Sequence, residues 1–368
     1  MIRVLHVVNS MNCGGTENML MNIYRNIDKE KIQFDFLVHT DAPAFFDEEI
    51  RSLGGRIFYA PRWNILNFFE YKKVLNAFFK EHDKEFSIVH GHIGSSSCIY
   101  LAIAKKYNLK TIAHSHSANF SLRSVKNIIY LSLNKITKRI ADNFFACSLD
   151  AGICRYGEKI CKSNKFKVIN NAIALDKYQK NQDEKERIIN EFKLKDSFVV
   201  GHIGRFTYAK NHPFIIETFK EILKLKENAK LLLIGEGELR VDFEAMIEKE
   251  GIKDKVILTG VRKDITALVQ VMDAFIFPSH HEGLGIAAIE AQTMGTPCFI
   301  NKSLPKDLDI NPNVYRLSLE DSPEKWARFI SENADNKISA EEAYNNISEA
   351  GYDIKNTVKY LEQFYLNN

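Results

Sequence analysis

Strand-like apolar runs alternate with helical patterns along nearly the whole chain, and this alternation constrains the fold more than any other feature. Runs such as Ile2–Val8 and Ala274–Phe277 are separated by longer segments with apolar residues at helical spacing. Such alternation is typical of stacked βα units, whose strands pair in parallel within doubly wound α/β sheets. A chain of 368 residues is too long for one compact core of ordinary size, so two such domains are predicted.

The boundary between the two domains is predicted near the segment 170–176, which has the composition of a linker. We therefore expect one Rossmann-like domain over residues 1–172 and a second over residues 173–351. Open sheets of this kind bind ligands beyond the carboxyl ends of their strands. Functional residues are therefore expected in the turns that follow strands.

The composition is that of a cytoplasmic globular protein, with 45% hydrophobic and 26% charged residues. The amino terminus does not resemble a signal peptide, and no apolar run approaches the ~18 residues of a spanning helix. The six cysteines lack C-x-x-C or zinc-like spacing and are expected to be reduced thiols.

Charge is divided unevenly along the sequence. Residues 1–172 carry 24 Lys and Arg against 15 Asp and Glu, whereas the remainder carries 26 against 32. Residues 86–141 contain eight basic residues and no acidic one. Such a stretch predicts an anionic partner, such as a phosphate-bearing substrate or an acidic membrane surface. The alternative is a solvated positive face.

Glu282 and Glu290 flank a Gly283-Leu284-Gly285 turn that follows a buried strand and opens a helix. The turn's N–H groups and the positive end of the helix dipole suit phosphate oxygens. The two carboxylates could then hold hydroxyl groups on either side of that phosphate, as a nucleotide-diphosphate sugar requires. The alternative is a capped amphipathic helix with two exposed glutamates.

Arg205 and Lys210 follow the first strand of the second domain and precede a helix. An arginine offers bidentate contacts and a lysine a point charge, which together match a diphosphate that becomes more negative as it departs. The alternative is a pair of surface cations.

Three further turns carry glycines at strand ends. Gly14 and Gly15 lie between the first strand and helix, but the G-x-G-x-x-G of a dinucleotide site is absent, so a dehydrogenase is a distant alternative. Gly235 and the main chain near Val261 are candidates for walling a nucleotide pocket. In each case the glycines could equally serve only to permit a tight turn.

His114 and His116 end a strand within the stretch that lacks acidic residues. We expect the two side chains to point in different directions, so that at most one faces a ligand. A metal site is not predicted, because no acidic residue lies nearby and no third ligand is evident in the sequence. The only D-x-D, Asp307 to Asp309, is interpreted as a loop.

In their order along the chain, these motifs resemble those of family 4 glycosyltransferases, which are retaining enzymes of the GT-B fold. The resemblance implies two Rossmann-like domains facing a cleft, with the last helix, within 352–368, returning to the N-terminal domain. It implies an N-terminal acceptor domain and a C-terminal donor domain. One departure from the family pattern is Asn170-Asn171-Ala172, where many relatives have Pro-Asn-Gly. The residues it assigns to catalysis are His116, Arg205, Lys210 and Glu282. Those it assigns to the donor are Gly14, Gly15, Arg205, Lys210, Gly235, Val261, Glu282, Gly283, Leu284, Gly285 and Glu290.

The resemblance also implies substrates and partners. The donor is expected to be a UDP-sugar and the acceptor a lipid-linked glycan contacted by Ser117, in bacterial capsule or exopolysaccharide synthesis. No cofactor, divalent metal or nucleic acid is expected. Two basic stretches with aromatic or apolar residues, 62–73 and 121–139, favour peripheral contact with an anionic membrane. The alternatives are a non-hydrolysing sugar-nucleotide epimerase and a non-catalytic partner protein of the same fold.

Overall fold

The computed structural model describes residues 1–12, 14–116 and 125–368, without the side chains of 125–132. Within these residues the chain divides into two compact units. One comprises Met1–Ile173 and Tyr352–Asn368, and the other Ala174–Gly351. This boundary differs by one residue from the predicted one.

The first unit contains a seven-stranded parallel sheet with the order β3-β2-β1-β4-β5-β6-β7. Its strands are β1 (Ile2–Val8), β2 (Ile32–Val38), β3 (Ile57–Tyr59), β4 (Ile88–Gly91), β5 (Lys110–Ser115), β6 (Asn143–Ala146) and β7 (Phe166–Val168). Its helices in chain order are α1 (Gly15–Asn26), α2 (Asp47–Ser52), α3 (Phe68–Glu81), α4 (Ser97–Lys106), α5 (Val125–Ile140), α6 (Leu149–Tyr156) and α7 (Glu158–Cys161).

The second unit contains a six-stranded parallel sheet with the order β10-β9-β8-β11-β12-β13. Its strands are β8 (Phe198–Ile203), β9 (Ala229–Ile234), β10 (Val256–Leu258), β11 (Ala274–Phe277), β12 (Cys298–Asn301) and β13 (Val314–Leu317). Its helices are α8 (Gln182–Phe192), α9 (His212–Leu225), α10 (Arg240–Lys249), α11 (Ile265–Gln270), α12 (Ile286–Gln292), α13 (Pro323–Asn333) and α14 (Ala340–Glu349).

The last helix, α15 (Ile354–Leu366), belongs to the first unit, as the fold prediction required. It packs against α1, β1 and β2 and buries Val358, Leu361 and Tyr365. Ile173 and Asp353 form a parallel bridge where the chain leaves the first unit and returns to it. The segment that leaves the first unit and the segment that returns to it are therefore paired with each other within that unit.

Both sheets are buried on their two faces, which explains why their strands appear as continuous apolar runs. All four residues of β11 are buried and apolar, for example. The covering helices present apolar stripes with helical spacing: Tyr71, Leu75 and Phe79 on α3, and Ile215, Phe219 and Ile222 on α9. These stripes belong to the hydrophobic cores of the two units.

Some elements differ from what the sequence predicts. Apolar residues at helical spacing predict a helix over about 64–82, but α3 begins at Phe68, because the side chains of Asn64 and Asn67 accept hydrogen bonds from nearby backbone N–H groups and hold a turn there. Strand β13 was not predicted, since it is a short edge strand of four half-buried residues. Among the described helices, none has the length and apolarity needed to cross a bilayer.

Candidate active site

The turn before α12 contains a glycine in a position that other residues would strain. Gly285 has φ +94°, in the left-handed region, and a Cβ there would lie 3.1 Å from Phe277 and from Leu308. Only glycine fits this position without strain. Buried Leu284 anchors the turn, which leaves Gly283 exposed at the carboxyl end of β11.

Lys210 and Glu282, 72 residues apart in sequence, form an ion pair. Strands β8 and β11 are neighbours in the sheet, so the turns that follow them meet, and His280 N–H donates to the Ala209 carbonyl at 2.8 Å. Lys210 Nζ donates to Glu282 Oε1 at 2.6 Å and lies 4.8 Å from the centre of the Phe277 ring. The two side chains are 18% and 11% exposed. One cation and one carboxylate are thereby held beside the Gly283–Gly285 turn.

Glu290 points toward the segment that enters the second unit. The Tyr178 hydroxyl donates a hydrogen bond of 2.8 Å to Glu290 Oε1. Burial raises the pKa of Glu290, against the opposing influence of this hydrogen bond and of the Lys210 charge. Neither Glu282 nor Glu290 is exposed, so the alternative of two exposed glutamates on an amphipathic helix is wrong.

A pH-dependent stability difference is expected for Glu290→Gln. Because the folded-state pKa of Glu290 is raised, its proton binds more tightly in the folded protein, and the stability associated with that proton is lost as pH rises through the folded pKa. The neutral amide avoids this loss. Urea unfolding at about pH 8 should show the variant gaining stability over the parent, with a smaller gain at about pH 4. An equal difference at both pH values would contradict this interpretation.

The remaining cation, Arg205, is exposed and directly follows Gly204 in the turn after β8. It lies on the same turn as Lys210, which a short 3-10 segment, Tyr208–Lys210, carries back toward α9. The two predicted cations therefore belong to one turn at the carboxyl end of a central strand.

The glycines of the next two turns pack backbone against backbone. A Cβ on Gly235, whose φ is +141°, would lie 2.1 Å from the Gly204 carbonyl oxygen, and Gly235 N–H donates to Gly260 O at 3.0 Å. Close turn packing therefore explains these glycines. Val261 follows Gly260 and is 65% exposed, so its main chain lies at the surface of this group of turns.

In the first unit, Gly14 precedes α1 and is covered by Glu17. A Cβ on Gly14 would lie 2.3 Å from Glu17 Oε2, whereas one on Gly15 would meet no atom within 4 Å. Burial raises the pKa of Glu17. Cys13, between Asn12 and Gly14, is outside the described residues.

His116 directly follows β5, and its Nε2 lies 2.8 Å from Nδ1 of His92. The expectation that His114 and His116 point in different directions is wrong: their rings stack with centroids 4.2 Å apart. The reason is that residues at positions i and i+2 of a strand share a face. Burial lowers the pKa of His116 to about 3, so its ring is neutral at neutral pH. Ser117, the predicted acceptor contact, lies outside the described residues.

Sequence analysis considered His114 but not the other three histidines that surround His116. His6 on β1, His90 and His92 at the end of β4, and His114 on β5 lie beside it, because β1, β4 and β5 are neighbours in the sheet. The repeated H-x-H at the ends of two strands was the available signal. The D-x-D, interpreted as a loop, includes part of a short 3-10 segment, Lys306–Leu308, and Asp309 pairs with Arg316 at 2.7 Å.

Comparison with known proteins identifies the family. The family described as Glycosyltransferase Family 4 matches residues 13–177, and that described as Glycosyl transferases group 1 matches residues 183–353. The putative glycosyltransferase EpsF of Bacillus subtilis is 31% identical over 99% of this chain and 96% of its own length. The chain belongs to glycosyltransferase family 4. The capsular polysaccharide biosynthesis glycosyltransferase CapH of Staphylococcus aureus is 24% identical, covering 100% of this chain and 99% of its own.

Solved structures place this family 4 glycosyltransferase in the GT-B fold. Anabaena Alr3699/HepE, solved in complex with UDP, superposes with a TM-score of 0.81 over 100% of both chains at 15% identity. WaaG, a glycosyltransferase involved in lipopolysaccharide biosynthesis, superposes with a TM-score of 0.72 over 99% of this chain and 100% of its own, at 16% identity. The predicted fold class and family are therefore confirmed, and the epimerase alternative is set aside.

Proposed function

We propose that this glycosyltransferase moves a sugar from a UDP-sugar to a hydroxyl of a lipid-linked glycan, with retention of anomeric configuration, in bacterial surface-polysaccharide synthesis. The observation that carries the proposal is the Lys210–Glu282 ion pair beside the Gly283–Gly285 turn. In this pair, the cation is proposed to bind phosphate and the carboxylate is proposed to bind sugar hydroxyls, and both lie at the carboxyl ends of β8 and β11.

The named relatives support the choice of donor and acceptor. A UDP-Gal:alpha-D-GlcNAc-diphosphoundecaprenol alpha-1,3-galactosyltransferase of Escherichia coli is 24% identical over 82% of this chain and 79% of its own length. Its name contains a UDP-sugar donor and a diphosphate-linked lipid acceptor. Both match the chemistry proposed here.

In the proposed mechanism the diphosphate leaves the sugar while charge builds on its oxygens. Arg205, Lys210 and the amides of Gly283–Gly285 stabilise that charge in a fixed geometry. Glu282 orients the sugar through its hydroxyls, and Glu290, held by Tyr178, takes the ribose hydroxyls. The departing phosphate accepts the proton of the acceptor hydroxyl, so no side chain has to act as the base.

His116 of the first unit is proposed to hold the donor sugar as a neutral ring, in keeping with its lowered pKa. Ser117 is proposed to contact the acceptor. Gly14, Gly15, Gly235 and Val261 are proposed to approach the donor through their main chains. Because Arg205 and Lys210 supply the positive charge opposite the diphosphate, the mechanism needs no divalent metal and no cofactor.

A transfer assay tests the proposal. The protein is incubated with UDP-sugars and a short-chain lipid-diphosphate sugar acceptor, and the anomeric configuration of the product is read by proton NMR. We expect an α-linked product from an α-linked donor. A β-linked product would contradict retention, and conversion of the donor without acceptor would indicate epimerisation. Absence of turnover with every donor would favour a non-catalytic partner.

The proposed location is the cytoplasmic face of the membrane, with peripheral contact through residues 62–73, which comprise the segment before α3 and the start of α3. Leu66 and Phe69 are 97% and 83% exposed there, and Arg62, Lys72 and Lys73 lie close in sequence. Exposed apolar side chains among cations are typical of interfacial anchoring on anionic lipid. Of the second basic stretch, 121–139, residues 121–124 and the side chains up to residue 132 lie outside the described part.

Sedimentation with liposomes checks this contact. Vesicles containing anionic lipid should bind the parent protein, and replacing Leu66 and Phe69 together by aspartate should lower the bound fraction at least several-fold. Val241→Asp is the matched control, because Val241 is 74% exposed on a helix of the second unit. Equal losses in both variants, or no binding by the parent, would contradict membrane contact at this segment.

A further inference from the structure

Five histidines gather at the carboxyl ends of three neighbouring strands of the first unit. They are His6 of β1, His90 and His92 at the end of β4, and His114 and His116 at the end of β5. Their rings contact one another, with centroid separations between 4.2 and 5.3 Å for neighbouring pairs. A cluster of this size exceeds what orienting His116 alone would need.

We propose that His92, His114 and His116 form a binding site for a transition-metal ion with the ligand preference of zinc, and that the bound ion inhibits transfer by occupying His116. Each of the three offers one ring nitrogen, and these nitrogens lie within 4.8 Å of one another. In a tetrahedral zinc site, Zn–N bonds of ~2.1 Å separate ligand nitrogens by about 3.4 Å. Nitrogens within 4.8 Å of one another are therefore close to that spacing.

The outer histidines orient this triad as ligand-supporting groups do in metal sites. His6 Nδ1 lies 3.0 Å from Nε2 of His92, and His90 Nε2 lies 3.1 Å from Nδ1 of His114. The Tyr365 hydroxyl in turn lies 2.8 Å from Nδ1 of His90. His92 and His114 thus each have one nitrogen held by a neighbouring ring. Of their other nitrogens, Nδ1 of His92 lies 2.8 Å from Nε2 of His116, and Nε2 of His114 has no hydrogen bond among the described residues.

Two nitrogens in the triad need a partner. Within the described part of the chain, His114 Nε2 and His116 Nδ1 are buried without a hydrogen bond. A buried nitrogen without a partner is costly, and a bound ion offers one such partner. His92 and His116 are only half-buried, so an ion can reach the triad from that side.

The chemistry of the triad selects the type of ion. Three imidazoles with no carboxylate among them suit zinc, copper or nickel and do not suit magnesium or calcium. Three histidines leave a fourth position for water, whose ionisation to hydroxide reduces the charge brought into the cluster. The ion is thus proposed to bind residues of the first unit alone, and the diphosphate site proposed in the second unit needs no metal.

Zinc titration of the full-length protein against a chromogenic chelator tests the site without any sugar substrate. We expect one zinc ion per chain with a dissociation constant below about 1 µM, and visible cobalt bands of a tetrahedral nitrogen site when Co²⁺ replaces zinc. His116→Ala should weaken zinc binding at least tenfold, since it removes a ligand. His82→Ala is the control, because His82 of the same unit contacts Glu85 and lies outside the cluster.

The outcomes separate clearly. If the parent protein does not bind one zinc ion per chain, and Co²⁺ gives no tetrahedral bands with it, the site does not exist. This result does not depend on how the variant folds, because the stoichiometry and the cobalt spectrum are measured on the parent.

The inhibitory part rests on the proposed role of His116 in transfer. Stoichiometric zinc should lower the transfer rate at least tenfold, and a chelator should restore it. Zinc binding with undiminished turnover would overturn inhibition while leaving both the metal site and the transferase activity standing. Failure of every transfer assay would instead count against the proposed function and leave the zinc titration unaffected.

Discussion

Lys210→Ala should lower kcat for sugar transfer by about 10²–10³-fold, the usual cost of removing one preorganised group that stabilises developing charge. Lys210 is proposed to face the departing diphosphate, where charge grows only in the transition state. The loss should therefore appear in kcat more than in the KM for the donor. Initial-rate kinetics over a range of donor concentrations measure both constants.

The matched control is Lys224→Ala. Lys224 also pairs with a glutamate, Glu221, but lies on the exposed surface of α9, 64% exposed, so transfer should be unchanged. Circular dichroism should show that both variants keep the parent fold. Near-normal turnover of folded Lys210→Ala would remove Lys210 from the mechanism.

Glu282→Ala should abolish most transfer as well, because the variant loses the carboxylate proposed to orient the sugar and leaves Lys210 without its partner. Since the two side chains contact each other, their effects should not add. The double variant Lys210→Ala with Glu282→Ala should be close to the more damaged single variant. Rates of all four proteins complete the cycle.

Glu221→Ala serves as the control for the carboxylate, since it removes the glutamate of the surface pair on α9. If the losses of the two single variants simply multiply in the double variant, the ion pair has no functional coupling. The two residues would then act at separate places.

Local patterns in the sequence predicted the two sheets, most of their strands and helices, and the turns that carry the proposed site residues. Apolar runs between glycine turns identify buried parallel strands, because burial on both faces favours apolar residues. Edge elements are less constrained, which is why β13 was missed. The family resemblance then assigned roles to Lys210, Glu282 and Glu290 that single turns could not.

What the sequence could not supply are the contacts between distant segments. The Lys210–Glu282 pair exists because β8 and β11 are adjacent in the sheet, an order that no local pattern encodes. The Tyr178 hydrogen bond to Glu290 joins residues 112 positions apart. The histidine cluster likewise depends on β1, β4 and β5 being neighbours, so the two H-x-H pairs become a signal only when this strand order is known.

Calorimetric titration with UDP, GDP, ADP and NAD, on the parent and on Arg205→Ala, is the most direct measurement of the donor site. We expect micromolar binding of UDP, with the affinity greatly weakened in the variant, because Arg205 is proposed to contact the diphosphate. If GDP or ADP binds instead of UDP, the proposed donor site stands, but the donor carries a different base. Binding of NAD alone, or of none of the four, would contradict the proposed nucleotide-sugar donor.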